Sequence, residues 1–417
     1  EVLAGDAKNK FRIADIFQQQ CDTIRSRELL GYLGAQSILP KYGFPTDVVE
    51  LKTNHIHIPE AKQVELSRDL RLAIGEYAPG SQVVAAKRVW VSGGIYKPPA
   101  REFVPYNYTI CPKCYRAYSS LATEMESCPA CGENLNGPGS LRDFGQYIIP
   151  EFGFIASSDE PKVSGESRPV RMYSSRVFFS EYRIPGRENR AVEEPFVPAL
   201  AGQNLRVLQR YSRYGWLFVI NQGPGRLGFR TCKFCGVAEP PPDSQDNKKH
   251  EKGGRPPAHK NPLTGRDCRG SFKTFSLGHK FMTDILELRV EGNMGLIKDE
   301  DFVPTWRSVL YALLEGASET LGIRREDLDG TLNFIVGMKN PSLIMFDDVP
   351  GGAGHVKRLV NHLPEVLAAA LERVSQECCG PETSCTECLR NFRNQPFHDE
   401  LKRGLAKRYF DMILQDC

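Results

Sequence analysis

Several things are missing from this 417-residue sequence, and each absence narrows what the chain can be. No apolar run approaches the roughly 20 residues needed to cross a bilayer as a helix. There is no G-x-x-x-x-G-K-[ST] loop, so the chain lacks the phosphate cradle of a P-loop ATPase. There is no G-x-S-x-G elbow and no H-E-x-x-H pair, which removes the common serine hydrolase and zinc protease signatures. No internal repeat is visible. The sequence opens Glu1-Val2-Leu3-Ala4-Gly5 without a methionine or a signal-peptide pattern, as expected of a segment of something larger. A large excess of one charge sign is missing too: the formal net charge is only +3, too small to argue for nucleic acid by itself.

Cysteine is not scarce. Ten of the thirteen cysteines fall into three clusters, each with a C-x-x-C pair, leaving Cys21, Cys268 and Cys417 apart. A secreted disulfide scaffold is shorter and scatters its cysteines, so paired thiols in a long chain read as metal ligands in a reducing cytoplasm.

The first cluster is Cys111-Pro112-Lys113-Cys114 with Cys128-Pro129-Ala130-Cys131. Two knuckles at this spacing supply four thiolates to one tetrahedral Zn²⁺ and leave no open position for catalysis. The second begins at Cys232-Lys233-Phe234-Cys235 and is completed by Cys268 and a histidine, His259 being preferred to His250. The third is Cys378-Cys379 with Cys385-Thr386-Glu387-Cys388. Here either all four bind, or one of the adjacent cysteines stands aside. Two to three zinc ions per chain are expected.

The pattern predicts an α+β, multi-domain chain: a segment over 1–98, a zinc ribbon over 99–135, a β-rich part over 136–290 holding the second site, and a mainly helical zinc-binding domain over 291–417. A helix is expected from Phe11 to Leu33, and a turn over Leu39–Pro45 precedes a strand at Asp47–Leu51. A hairpin is expected over Gln82–Val84 and Arg88–Val91. Strands follow near Tyr147–Ile149, Val177–Phe179, Trp216–Ile220, Ser271–Phe275 and Ile285–Val290. Helices are expected at Trp306–Ser318, Val356–Ser375 and from Asn391 onward. Residues 237–267 read as a long polar loop.

Other groupings carry weaker signals. Asp347 and Asp348 end an apolar run and lead through Gly351-Gly352-Ala353-Gly354 to His355, an arrangement able to hold a phosphate at a helix start or to serve a nuclease. A tight strand-to-helix turn is the plainer reading. His279 and Asp284 read as a capped turn with a satisfied histidine. Arg206, Arg210 and Arg213, interleaved with Tyr211, suit a nucleic-acid strand as well as a solvated strand face. Arg390, Arg393, Lys402, Arg403, Lys407 and Arg408 add basic charge near the C-terminus that is compatible with phosphate contact without being diagnostic of it, Arg390 and Arg393 joining the nucleic-acid candidates.

Taken together, Asp347 to His355, the Cys378–Cys388 cluster, and Leu389-Arg390-Asn391-Phe392-Arg393 through His398 to Arg403 resemble the MrfA zinc-binding domain family. Gly278-His279-Lys280-Phe281 with Thr283-Asp284 is similar to what precedes that domain. Ile38–Pro45 and Leu72–Ser81 look like the region behind the motor in bacterial DEAD/DEAH-type helicases with this ending. The resemblance implies the motor-free, zinc-binding part of a superfamily-2 DNA helicase, or a DrmB-like partner. Its setting would be DNA repair or anti-phage systems of the DISARM and Druantia type, with DNA (single-stranded or forked) and a helicase motor as partners. The adjacent Cys378-Cys379 departs from the expected separation of the first two cysteines. An assembly scaffold is the alternative reading, and a nuclease using Asp347, Asp348 and His355 a more distant one.

Overall fold

The computed structural model describes residues 47–99, 101–121, 125–136, 143–165, 169–170, 175–184, 194–241, 258–292, 297–349 and 351–416. The expected Phe11–Leu33 helix and Leu39–Pro45 turn lie outside these residues. Among the described residues, no helix is long and apolar enough to cross a membrane.

Strand Val48–Lys52 follows Asp47 and pairs with Ser67–Asp69, after which Asp69 caps the helix Leu70–Glu76 by accepting from the Arg71 N–H at 2.9 Å. The hairpin is present as Gln82–Ala85 with Arg88–Ile95. Ala86 and Lys87 both take positive φ, the two-residue turn whose twist matches the flanking strands. Strand Phe154–Ala156 enters between Val48–Lys52 and Arg88–Ile95, so this six-stranded sheet draws on chain from both sides of the first cysteine cluster.

The second sheet has eleven strands and is built on two long ones, Leu205–Asn221 and Phe272–Gly292, paired antiparallel. The sequence suggested two strands, Ser271–Phe275 and Ile285–Val290, separated by a turn at Gly278–Asp284. The structure instead runs one strand through, with His279 opposite Val219. The signal that misled is Gly278, whose missing side chain makes room for the Tyr147 ring (2.6 Å from an ideal Cβ) rather than for a turn. Ser175–Tyr182, Asp143–Ile148, Tyr106–Ile110 and Ala117–Ser120 extend the sheet on its two sides, and Ser342–Asp347 and Leu328–Asn333 join at its far end.

These long strands serve two cores. Leu217, Val219, Phe275, Leu277, Phe281 and Ile285 pack with Leu51, Trp90 and Phe154 of the first sheet and with Ile74 of the helix Leu70–Glu76. Leu205, Val207, Leu286, Leu288 and Val290 pack with the C-terminal helices. Those helices are Asp299–Leu321, His355–Leu359, Leu363–Ser375 and Arg403–Asp416. Gly316 lets Leu363–Ser375 approach closely, since a Cβ there would lie 2.6 Å from the Val366 carbonyl oxygen. Two expectations need correction. The helix foreseen over Val356–Ser375 is broken at Val360–His362, before Pro364 restarts it. The last helix starts at Arg403 rather than Asn391, because Asn391–Leu401 is spent on turns beside the third cysteine cluster.

Candidate metal centres and basic surface

Three of the cysteine pairs fold by one rule. The first cysteine's N–H donates to the carbonyl five residues on, and its carbonyl accepts from the N–H four residues on. Cys111 does so with Arg116 (3.0 Å) and Tyr115 (3.0 Å), Cys128 with Glu133 and Gly132 (both 2.8 Å), and Cys232 with Val237 (2.8 Å) and Gly236 (3.1 Å). The residue after the second cysteine must then take positive φ. Gly132 and Gly236 do so without strain, while Tyr115 is carried there by the turn.

The same turn recurs without cysteines. Asn261 exchanges these bonds with Arg266 (2.9 Å) and Gly265 (2.8 Å), and Gly265 has positive φ. It joins strands His259–Lys260 and Asp267–Cys268, whose register sets His259 directly opposite Cys268. The second centre is thus one cysteine knuckle facing one hairpin. The sequence signal for that hairpin is Asn261-Pro262-Leu263-Thr264-Gly265, inside the stretch that reads as a polar loop.

In each cluster four ligand atoms lie within 4.8 Å of one another: Cys111, Cys114, Cys128 and Cys131; Cys232, Cys235, His259 and Cys268; Cys378, Cys379, Cys385 and Cys388. A tetrahedron of sulfurs about 2.3 Å from zinc has edges of about 3.8 Å. The sulfur separations are 3.5 Å for Cys111–Cys131, 3.6 Å for Cys114–Cys128, 3.9 Å for Cys232–Cys268, 3.8 Å for Cys379–Cys388 and 3.9 Å for Cys385–Cys388. His259 Nε2 stands 3.3 Å from Cys235 Sγ, the shorter edge that a nitrogen ligand gives. Donor type, number and spacing all fit zinc, whereas no four packed thiols can shed their protons without a cation among them. The adjacent Cys378 and Cys379 both join the third cluster, their sulfurs 4.0 Å apart.

Thiol ionisation is unequal within the clusters. The Cys114 thiol and the N–H groups of Cys114 and Lys113 draw Cys111 down to about 5 against the effect of burial. Burial pushes Cys388 up to about 12. Cys111, Cys114, Cys128, Cys232, Cys235, Cys268 and Cys388 are buried, and Cys378, Cys379 and Cys385 are half-buried.

Arg403, foreseen as a phosphate contact, is buried beside the third cluster. It donates to the Val374 carbonyl at 2.9 Å and to the Cys379 carbonyl at 2.8 Å. The Asp347 turn also has an internal explanation. Its carboxylate accepts from the N–H groups of Ala353 (2.5 Å), His355 (3.1 Å) and Val356 (2.8 Å), so the chain supplies its own anion where a phosphate was considered. Asp348 is buried between Arg71 and Arg393, and Arg71 is itself drawn down to about 10 by burial. Both carboxylates are thus engaged by groups of the chain itself. Asp284 accepts from the Tyr211 hydroxyl at 3.1 Å; burial, then Asp347, raises it. His279 lies 4.0 Å from Asp47, within the strand.

The candidate nucleic-acid residues do not form one set. Arg210 is buried, ion-paired to Glu287 at 2.5 Å and stacked over Tyr182 and Phe196. A phosphate cannot reach it. Arg206 is exposed beside Glu291, Arg213 is exposed, Tyr211 is half-buried, and Arg390 is half-buried against Ser384 and the His398 carbonyl. Arg393 is engaged by Asp348 and by the Glu326 carbonyl.

Residues 309–389 match the family model described as the MrfA Zn-binding domain. Druantia protein DruE of Escherichia coli (strain UMEA 4076-1) is 26% identical over 421 residues, covering 91% of this chain and 21% of DruE. The chain thus spans about a fifth of that relative's length. Solved structures of the DUF1998 helicase MrfA bound to DNA, and bound to DNA and AMPPNP, align with 84% of this chain and 31% and 29% of theirs. Their TM-scores are 0.34 and 0.26 at 9% and 8% identity, an overlap too small to establish a shared fold. The chain carries a zinc-binding domain of the MrfA type and is homologous to a Druantia protein.

Proposed function

We propose that this chain is the zinc-braced accessory region of a DNA helicase or of its partner subunit, binding DNA and presenting it to a motor that the chain does not contain. One observation carries the reading: the MrfA-type zinc-binding domain sits within a similarity to DruE that runs through nine-tenths of the chain. MrfA itself has been solved as a helicase bound to DNA. DNA repair and anti-phage defence are the two settings in which such a region would serve.

In this reading zinc is structural. Cys111, Cys114, Cys128 and Cys131 hold one ion; Cys232, Cys235, His259 and Cys268 a second; Cys378, Cys379, Cys385 and Cys388 a third. Each set fills all four positions, so the metal fixes geometry and activates nothing. Exposed Arg206, Arg213 and Arg408, with half-buried Arg390, supply phosphate contacts. A single strand or a fork is the expected ligand.

The test is binding of the zinc-loaded chain to labelled single-stranded, duplex and forked DNA at two salt concentrations. Salt-sensitive binding, strongest on single strands or forks, supports the reading. No binding at low salt overturns it and favours a scaffold that contacts protein alone.

A further inference from the structure

The residues enclosed by the paired cysteines are Pro112-Lys113, Pro129-Ala130, Lys233-Phe234 and Thr386-Glu387. Only the second centre places an aromatic ring there, and Phe234 is 73% exposed, the most exposed large apolar side chain among the described residues. Leaving such a ring in water forgoes about 2 kcal/mol that burial would give.

The ring's base is held firmly. The Phe234 N–H points at Cys232 Sγ (3.4 Å), and the Lys233 N–H donates to the Ser271 carbonyl at 3.0 Å. Gly270 passes directly beneath: an added Cβ would lie 2.7 Å from the Phe234 Cβ and 2.6 Å from Cys232 Sγ. The knuckle and the start of the Phe272–Gly292 strand are therefore locked together under an outward-facing ring. Basic residues stand on the two segments that meet beneath it, the knuckle and the hairpin leading to Gly270. Lys233, Arg266 and Arg269 are exposed, while the exposed carboxylate of Asp267 is taken by Lys260 at 2.7 Å.

We infer that the second zinc knuckle is a base-stacking platform for single-stranded nucleic acid, with Phe234 against a nucleobase and Lys233, Arg266 and Arg269 along the flanking phosphates. A fixed π-face beside cations, with no base-specific hydrogen bonding, is the chemistry of sequence-tolerant strand binding. The inference deepens the DNA-binding reading and rests on it.

The test uses the full zinc-loaded chain and a fluorescein-labelled oligodeoxythymidine. Phe234→Ala is expected to weaken binding about tenfold, roughly the worth of one stacked base, with zinc content unchanged. Phe234→Trp keeps the affinity, Phe234→Leu behaves as Ala, and Lys233→Ala lowers the salt slope by about one. If the native chain binds but Phe234→Ala binds equally well, the platform is overturned and the DNA reading stands. If the native chain does not bind, both fall. If Phe234→Ala weakens only the association with the motor protein, the ring faces protein and the inference is wrong.

Discussion

The Phe334 N–H donates to the Cys114 carbonyl at 3.1 Å, and the Phe334 ring lies 4.8 Å from that of Tyr115. The neighbouring pair repeats the link, Arg116 reaching Asn333 Oδ1 at 3.3 Å. The first knuckle is therefore bound into the turn after strand Leu328–Asn333, inside the region of the MrfA-type domain. A metal site that looks like a detachable ribbon in sequence is part of the joint between distant pieces of chain.

Arg403 does similar work at the third centre. Arg403→Ala leaves the Val374 and Cys379 carbonyls without their donors and is expected to cost about 2–4 kcal/mol. Arg403→Lys, able to reach one carbonyl at a time, should fall between. Thermal unfolding measures the loss, and faster zinc capture by a chromogenic chelator shows that the third site has loosened. An unchanged melting temperature for Arg403→Ala would contradict this role.

Glu287 has no exposure and accepts from Arg210, Tyr182 (2.8 Å) and Arg289 (3.3 Å). Burial by itself would raise its pKa; the Arg210 charge and hydrogen bonds, Ser342 and Arg289 outweigh it and hold the group below its ordinary value of 4.5. A depressed folded pKa gives stability that is present above the unfolded value and is lost as pH falls through the folded one. Denaturant titrations should thus show stability flat above about pH 5 and declining below 4.5. Glu287→Gln should cost about 3–5 kcal/mol and abolish this residue's part of the acid slope. Arg210→Ala should be destabilising too, with no change in salt slope on DNA if the protein is studied below its melting range.

Asp348 joins the helix Leu70–Glu76 through Arg71 to the C-terminal turns through Arg393. Asp348→Asn should destabilise by about 3–5 kcal/mol, because it strands the buried Arg71. Arg393→Ala should cost less, since its side chain is 31% exposed and its charge is already partly hydrated. Equal losses for the two variants would argue against a buried clamp.

Asp347→Ala removes the acceptor for three N–H groups and should cost about 2–3 kcal/mol. DNA incubated with the native chain and Mg²⁺ should stay intact. Cleavage that disappears in Asp347→Asn while affinity remains would reinstate the nuclease reading.

What could be read from the sequence was what is local. A C-x-x-C pair closes its own turn, so the clusters can be read from spacing, while the share of Cys378 and Cys379 in the third stays open in the sequence. His259 was harder, because only the hairpin register opposite Cys268 selects it. Arg210 could not be read correctly. It shares strand parity with exposed Arg206, yet Tyr182 and Phe196 cover that face at its position. Arg71, Asp348 and Arg403 depend on contacts between distant segments, which no spacing announces. Phe234 stands inside a C-x-x-C motif, whose spacing says nothing of how exposed its ring is.

The most direct test of the account is elemental analysis of the purified chain after dialysis against metal-free buffer. It predicts three zinc ions per chain, falling to two in each of Cys114→Ala, Cys235→Ala and Cys385→Ala, with a lowered melting temperature in every case. A chain that retains no zinc, and melts at the same temperature with and without chelator, would contradict it.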